Sequence, residues 1–169
     1  MPCQNLPGSE YTGDFHCRLL CAKAKVTPLS GLTVPRSEIS GLTLSSRLVL
    51  SSVKAMATGD TLRPAGAILL SDSECSISAL AKSSSALKPY FHNRVSEIRE
   101  NMKTISTYCP MDEVFHIAGK DNIADLATHS TAKLSDLGPG SEWQTGPTFL
   151  SCRRDLWPIT RDFVNVDLL

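Results

Sequence analysis

Three carboxylates occupy positions from which acidic side chains commonly do chemistry. Glu38 lies early in a predicted long helix, Asp72 follows a short apolar run, and Asp125 begins a predicted helix after another strand. In one sheet covered by helices, all three could meet at one end of the sheet. Converging carboxylates repel one another and are stable together when cations bind among them. The set therefore suits a site for two Mg²⁺ ions and the hydrolysis of phosphodiesters.

Each position also has a simpler interpretation. Asp72 could be only a helix cap, which is the commoner role for such a residue when this stretch is considered alone. Ser73 can cap the helix that follows, because its hydroxyl can accept hydrogen bonds from unpaired N–H groups. Glu38 could be a first-turn acid that the helix dipole favours, or a ligand that points over the sheet. Position alone leaves both open.

The spacing of apolar residues predicts the elements that position these side chains. Alternation indicates strands, and recurrence every three or four residues indicates helices. The predicted elements are a strand over 15–26, a helix over 35–56, a strand over 67–70 buried on both faces, a helix capped by Ser73, a helix from about residue 90, a strand over 111–117 and a short helix over 123–128. Gly41 costs the long helix about 1 kcal/mol relative to alanine, which close packing on the sheet would justify. The fold class is α/β.

Composition narrows the range of functions. The chain has 169 residues, enough for one ordinary domain, and its 17 basic and 17 acidic residues cancel. No apolar run approaches the ~20 residues of a membrane span, so we expect no membrane association. The six cysteines lack a CxxC pair, which favours buried free thiols in a reducing compartment. Cys17 and Cys21 beside His16 could bind a metal ion, but two separated thiols are weak evidence for such a site.

Several short runs occur in a characteristic order along residues 15–163. They are Leu19–Leu29, Leu32–Ile39, Arg47-Leu48, Leu70–Ser73, Asn93–Ile98, His116–Ala127, Trp143–Leu150 and Trp157-Pro158. In this combination the chain resembles the ribonuclease H region of BEL/Pao-type LTR retrotransposon polyproteins. The resemblance divides the chain into a leader (1–14), a partial ribonuclease H-like domain (15–130) and a linker toward integrase (131–169).

The resemblance implies a mixed five-stranded sheet flanked by helices. It implies hydrolysis of RNA in RNA/DNA hybrids with Mg²⁺ or Mn²⁺, and Glu38, Asp72 and Asp125 as catalytic metal ligands. Candidate contacts to nucleic acid are Lys23, Lys25, Arg36, Ser73, Asn93, Arg94, Lys120 and Asn122. The implied partners are the hybrid and the reverse transcriptase and integrase regions of the same polyprotein. The implied location is the cytoplasm or the nucleus.

The chain also departs from the family pattern. The family has a fourth acid on its first strand, whereas the match here begins at the third strand. Only Glu10 and Asp14 precede it, and neither lies in a strand-like apolar context. We therefore expect an incomplete sheet without its first two strands, and little or no turnover. The alternatives are a catalytically silent nucleic-acid binder and an interaction module that docks through its aromatic tail, while the basic residues could be solvated surface charges.

Overall fold

The computed structural model describes residues 16–26, 32–59, 62–128 and 131–161. The chain divides into two units. The first, here called the α/β unit, comprises Lys25–His116 and Thr160–Leu169. The second, here called the tail unit, comprises Met1–Ala24 and Ile117–Ile159. Within the described ranges no helix is both long enough and apolar enough to cross a membrane.

The α/β unit contains the long elements that the sequence predicts. They are α1 (Val34–Thr58), β1 (Ala67–Ser71), α2 (Glu74–Ala81), a 3₁₀ turn (Ser84–Ala86), α3 (Pro89–Ile105) and β2 (Met111–Ile117). Helix α1 begins after Thr33 with a proline in its first turn, since a proline there has no N–H group to leave unsatisfied. The Thr33 hydroxyl makes no capping hydrogen bond.

Strands β1 and β2 form the parallel pair of a three-stranded sheet. Its order is β1-β2-β3, where β3 is Ile159–Thr160. Leu69 lies opposite Val114 and Ser71 opposite His116. The predicted α/β class is confirmed, and the described part is compatible with a partial ribonuclease H-like fold. The prediction that β1 is buried on both faces is wrong, because only its central residue, Leu69, is buried.

The core of the α/β unit lies between the sheet and its helices. Its buried members are Ile39, Leu42, Leu69, Ile77, Ala79, Val95, Ile98 and Val114. Helices α1 and α3 run parallel, because contacts advance along both together, from Ser40 with Tyr90 to Ser46 with Asn101. The prediction that the sheet packs closely against Gly41 is wrong, since Gly41 is exposed and a Cβ atom there would meet nothing within 4 Å.

The predicted strand over 15–26 is wrong over its described part, residues 16–26. These residues adopt no regular secondary structure. In the tail unit, the backbone N–H of Leu19 donates a 2.9 Å hydrogen bond to the carbonyl of Gln144. A strand is defined by a ladder of such bonds, which alternation in the sequence does not guarantee. The leader 1–14 lies outside the described residues.

The tail unit is built from short elements. They are 3₁₀ helices at Gly119–Asp121, Ile123–Thr128, Thr148–Ser151 and Arg154–Leu156, with α4 (Leu134–Leu137) and α5 (Glu142–Thr145). Phe149 and Trp157 pack edge to face with ring centres 5.9 Å apart. Gly146 has a φ of +75°, and a Cβ atom there would collide with the Cys17 side chain. The unit is thus held by aromatic and close backbone contacts rather than by long elements.

The cysteines differ from the prediction of buried free thiols. Cys152 is disulfide-bonded. Of the free cysteines in the described ranges, Cys109 is buried, Cys21 is exposed, and Cys17 and Cys75 are intermediate. The spacing of cysteines in a sequence does not by itself show which of them form disulfides, which explains the error.

Candidate functional site

The end of β1 brings a helix carboxylate and a serine together. The Ser73 hydroxyl donates a 2.6 Å hydrogen bond to Oε2 of Glu38. Ser73 is 5% exposed, and the same oxygen accepts a 3.1 Å hydrogen bond from the backbone N–H of Ser76. Ser73 therefore caps α2, as predicted, and also fixes the Glu38 carboxylate beside the strand end. Glu38 lies beyond the first turn of α1, so the interpretation of Glu38 as a first-turn acid is wrong.

Asp72 is the residue between β1 and this serine. It is half-buried and outside both β1 and α2. The cap interpretation of Asp72 is wrong, because the N-cap of α2 is Ser73. Asp72 therefore lies directly after the strand and immediately precedes Ser73, the residue that holds the Glu38 carboxylate. A direct contact of Ser73 with nucleic acid stays a prediction. Its burial and the three hydrogen bonds of its hydroxyl group, to Glu38 and to the side chain and backbone of Ser76, favour a supporting role.

Asp125 belongs to the tail unit, whereas Glu38 and Asp72 belong to the α/β unit. Asp125 lies in the first turn of a 3₁₀ helix, and the Asn122 side-chain amide donates a 3.4 Å hydrogen bond to its Oδ1 atom. The Oδ1 atom of the Asn122 side chain accepts a 3.3 Å hydrogen bond from the backbone N–H of Ala124. Asn122 thus starts this turn and contacts Asp125. The meeting of Asp125 with Glu38 and Asp72 stays a prediction.

The described residues give only part of a donor set for Mg²⁺. Carboxylate oxygens are the ligands that this ion prefers, and Glu38 and Asp72 supply them in the α/β unit. Across the described ranges, however, no three histidine, cysteine, aspartate or glutamate side chains form a cluster that could hold a metal ion. Glu10 and Asp14 lie outside these ranges. The described residues therefore do not form a complete site for two Mg²⁺ ions.

Two of the predicted nucleic-acid contacts, Arg36 on α1 and Arg94 on α3, converge on one aromatic ring. Their guanidinium carbons lie 5.1 and 5.4 Å from the ring centre of Tyr90. The Tyr90 hydroxyl lies 2.8 Å from the Ser40 hydroxyl. That hydrogen bond, then a hydrogen bond with Arg94, and then the charges of Arg94 and Arg36 lower the pKa of the Tyr90 phenol. Tyr90 was not among the predicted contacts to nucleic acid, although its spacing of four residues from Arg94 places both side chains on one helix face.

An ion pair lies farther along the same two helices. The Arg47 guanidinium binds the Glu97 carboxylate, and Arg94 Nη1 lies 3.9 Å from the other oxygen of Glu97. The hydrogen bond from Arg47 lowers the pKa of Glu97, and the same bond raises the pKa of Arg47. Glu97 is thus engaged mainly by Arg47 and only weakly by Arg94.

The remaining predicted contacts are surface side chains. Lys25 and Asn93 are exposed in the α/β unit, and Lys23 is exposed in the tail unit. Lys120 is also in the tail unit, where it lines a cavity of about 340 Å³ together with Phe149. Their contacts to nucleic acid stay predictions.

Comparison with known proteins adds a family. Residues 4–73 match the model of a Pao retrotransposon-like RNaseH-like domain. The matched range contains Arg36, Glu38 and Asp72, begins within the predicted leader and stops before α3. No curated protein and no solved structure gives a significant match to the chain.

Proposed function

We propose that the chain binds RNA/DNA hybrids, on the strength of the match of residues 4–73 to a Pao retrotransposon-like RNaseH-like domain. The chemistry proposed for its ancestral site is Mg²⁺- or Mn²⁺-dependent hydrolysis of the RNA strand. In this chain we propose little or no turnover, on the expectation that the acid of the family's first strand is missing from the set. The reverse transcriptase and integrase regions of a polyprotein are the proposed protein partners, in the cytoplasm or the nucleus.

One observation supports this function above the others. The Glu38 carboxylate, which comes from α1, is held at 2.6 Å by Ser73 beside the carboxyl end of β1. Asp72 immediately precedes that serine. Open α/β sheets commonly bind ligands outside the carboxyl ends of their strands, and this site follows that rule. A fixed carboxylate at a strand end that is followed by an aspartate suits a cation-dependent phosphodiester site.

The experiment follows both binding and cleavage of a hybrid whose RNA strand is labelled. The full chain is incubated with the hybrid and Mg²⁺ and compared with Asp72→Asn. The matched control is Glu113→Gln, which removes an exposed carboxylate from β2. We expect all three proteins to bind the hybrid, with cleavage by the unmodified chain close to background.

The outcomes separate the two parts of the proposal. Mg²⁺-dependent cleavage that Asp72→Asn abolishes and Glu113→Gln retains supports hydrolysis at this site. Equal background cleavage from all three proteins removes the enzyme activity and leaves a catalytically silent binder, the second candidate function. Absence of hybrid binding contradicts both. The convergence of Arg36 and Arg94 favours binding as the property that the chain retains.

The third candidate, docking through the aromatic tail, has less support. Phe149 and Trp157 already contact each other within the tail unit. The Trp157 indole N–H also donates a 3.1 Å hydrogen bond to the Cys152 carbonyl. These aromatic groups are thus used inside the unit, which leaves less of them for a partner.

A further inference from the structure

We propose that Arg36, Tyr90 and Arg94, here called the arginine–tyrosine cluster, bind a backbone phosphate of the nucleic acid. The proposal rests on the proposed function, and it adds a binding site and the role of Tyr90. The cluster draws on two helices that are distant in sequence. It forms because α1 and α3 run parallel, which brings their first turns to the same end of the α/β unit.

The charges of this cluster are unbalanced within the described residues. Among the described residues, no carboxylate forms an ion pair with the Arg36 guanidinium and no acceptor binds it. The guanidinium lies over the Tyr90 ring in a cation–π contact. Arg94 hydrogen-bonds to the Tyr90 side chain, and its one ion-pair contact among the described residues is the 3.9 Å contact to Glu97, which Arg47 already engages. Two cations beside one ring repel each other, and an anion that binds both relieves that repulsion.

Arg99, also on α3, differs from Arg36 and Arg94 because backbone carbonyl groups within the protein accept hydrogen bonds from its guanidinium. Its guanidinium donates hydrogen bonds of 2.9 Å to the Leu80 carbonyl and 2.9 Å to the Ser84 hydroxyl. These bonds satisfy a guanidinium inside the protein and tie α3 to the end of α2. No described carbonyl group accepts a hydrogen bond from the Arg36 or Arg94 guanidinium, and apart from the bond of Arg94 to Tyr90 their donors can bind a phosphate, whose oxygens match the planar guanidinium fork.

The helix termini add to the positive potential. Neither α1 nor α3 has an acidic residue in its first turn, and neither N-cap side chain makes a capping hydrogen bond. The unpaired N–H groups and the helix dipoles therefore contribute partial positive charge at the end where the two guanidinium groups lie. The cluster suits an anion more strongly than its two formal charges alone would indicate.

Tyr90 acts as a positioning residue. The Ser40 hydroxyl donates a 2.8 Å hydrogen bond to the Arg36 carbonyl, and it is also hydrogen-bonded to the Tyr90 hydroxyl at 2.8 Å. This chain of bonds ties the ring of α3 to the first turns of α1. The ring face then attracts both guanidinium groups by cation–π interaction and limits their rotamers. Holding the two charges ready lowers the entropy lost when a phosphate binds.

The test measures the affinity of the full chain for an RNA/DNA hybrid in EDTA, at several salt concentrations. EDTA separates binding from any cleavage. Arg36→Gln, Arg94→Gln and the double variant are compared with Arg63→Gln, which removes an exposed arginine from the loop after α1. We expect each cluster variant to weaken binding about tenfold and to reduce the salt slope by about one. The double variant loses less than the product of the single effects, because both arginines contact one phosphate.

Two further variants test the role of Tyr90. Tyr90→Phe keeps the ring and should retain most of the affinity, whereas Tyr90→Leu removes the ring and should weaken binding several-fold. Circular dichroism confirms that each variant is folded. Equal losses in Tyr90→Phe and Tyr90→Leu would contradict the positioning role.

The results distinguish this proposal from the proposed function. If the chain binds the hybrid and the cluster variants behave like Arg63→Gln, the cluster is not the phosphate site, while the function stands. If the cluster variants weaken binding but the chain never cleaves the hybrid, the cluster stands and hydrolysis fails. If the unmodified chain does not bind the hybrid, both proposals are overturned.

Discussion

The Ser73 hydroxyl donates its hydrogen bond to the Glu38 carboxylate across 35 residues of sequence, at an oxygen separation of 2.6 Å. The same hydroxyl oxygen caps α2 through the N–H of Ser76. One buried side chain therefore links three elements, because it follows β1, starts α2 and holds a carboxylate of α1. The helix start and the candidate site cannot be changed independently at this position.

Ser73→Ala removes both functions of the hydroxyl. We expect the free energy of unfolding to fall by about 2 kcal/mol, the sum of a lost helix cap and a lost hydrogen bond to a charged group. Urea unfolding followed by far-ultraviolet circular dichroism measures it. Ser83→Ala is the control, since Ser83 is exposed and makes no capping bond. A loss no larger than that of Ser83→Ala would contradict the double role.

Gly41→Ala should stabilise the chain. Gly41 lies inside α1 and is exposed, and an added Cβ atom meets nothing within 4 Å. Alanine loses less backbone entropy in a helix, so the free energy of unfolding should rise by about 1 kcal/mol. Gly59→Ala is the matched control, because Gly59 lies at the C-cap outside the helix interior. A loss of stability in Gly41→Ala would show that another group approaches this face.

Gly146→Ala should destabilise the tail unit. The φ of +75° is strained for any residue with a side chain, and the new Cβ atom would collide with Cys17. Gly140→Ala has a φ of +79° with nothing within 4 Å, so it isolates the backbone cost. We expect about 1 kcal/mol of loss at Gly140 and at least 2 kcal/mol at Gly146.

Tryptophan fluorescence reports this unfolding, because both tryptophans, Trp143 and Trp157, belong to the tail unit. Cys17→Ala should recover part of the loss in Gly146→Ala, since it removes the atom that the new Cβ would strike. Equal losses at Gly140 and Gly146 would show that the Cys17 contact carries no energy.

The Arg47–Glu97 ion pair should make the free energy of unfolding depend on pH in the acidic range. Arg47 lowers the pKa of Glu97 in the folded chain, so the folded state holds its proton less tightly than the unfolded state. The contribution is complete above the unfolded pKa and is lost as the pH falls through the lower folded value. The pair is partly exposed to solvent, which weakens the interaction, so the effect on stability is small.

Glu97→Gln should therefore flatten the fall in stability between neutral and acidic pH, as urea unfolding at several pH values would measure. Glu100→Gln, on an exposed position of α3, is the control and should leave the profile unchanged. An identical acid dependence in both variants would mean that the pair does not contribute.

The sequence predicted the long elements well, because each carries its own apolar pattern. The stripe of Val95 and Ile98 on α3 is buried as expected, and β2 has the predicted bounds. Residues 20–26 also alternate between apolar and polar positions, yet a strand needs a partner that no local pattern specifies. The Ser73 cap was predictable from the residue type, whereas its bond to Glu38 depends on where α1 lies. Tyr90 was missed because its contact with Arg36 depends on the parallel packing of α1 and α3.

Hydrogen exchange of the full chain, with and without an RNA/DNA hybrid, tests the central claim most directly. That claim places the nucleic acid at the end of the α/β unit where the first turns of α1 and α3 and the Asp72–Ser73 corner lie. We predict that the hybrid slows exchange of peptides covering 34–41, 71–76 and 89–95, and leaves peptides of the α1 C-terminal half unchanged. Slower exchange elsewhere without any effect on these three ranges, or no effect at a saturating hybrid concentration, would contradict it.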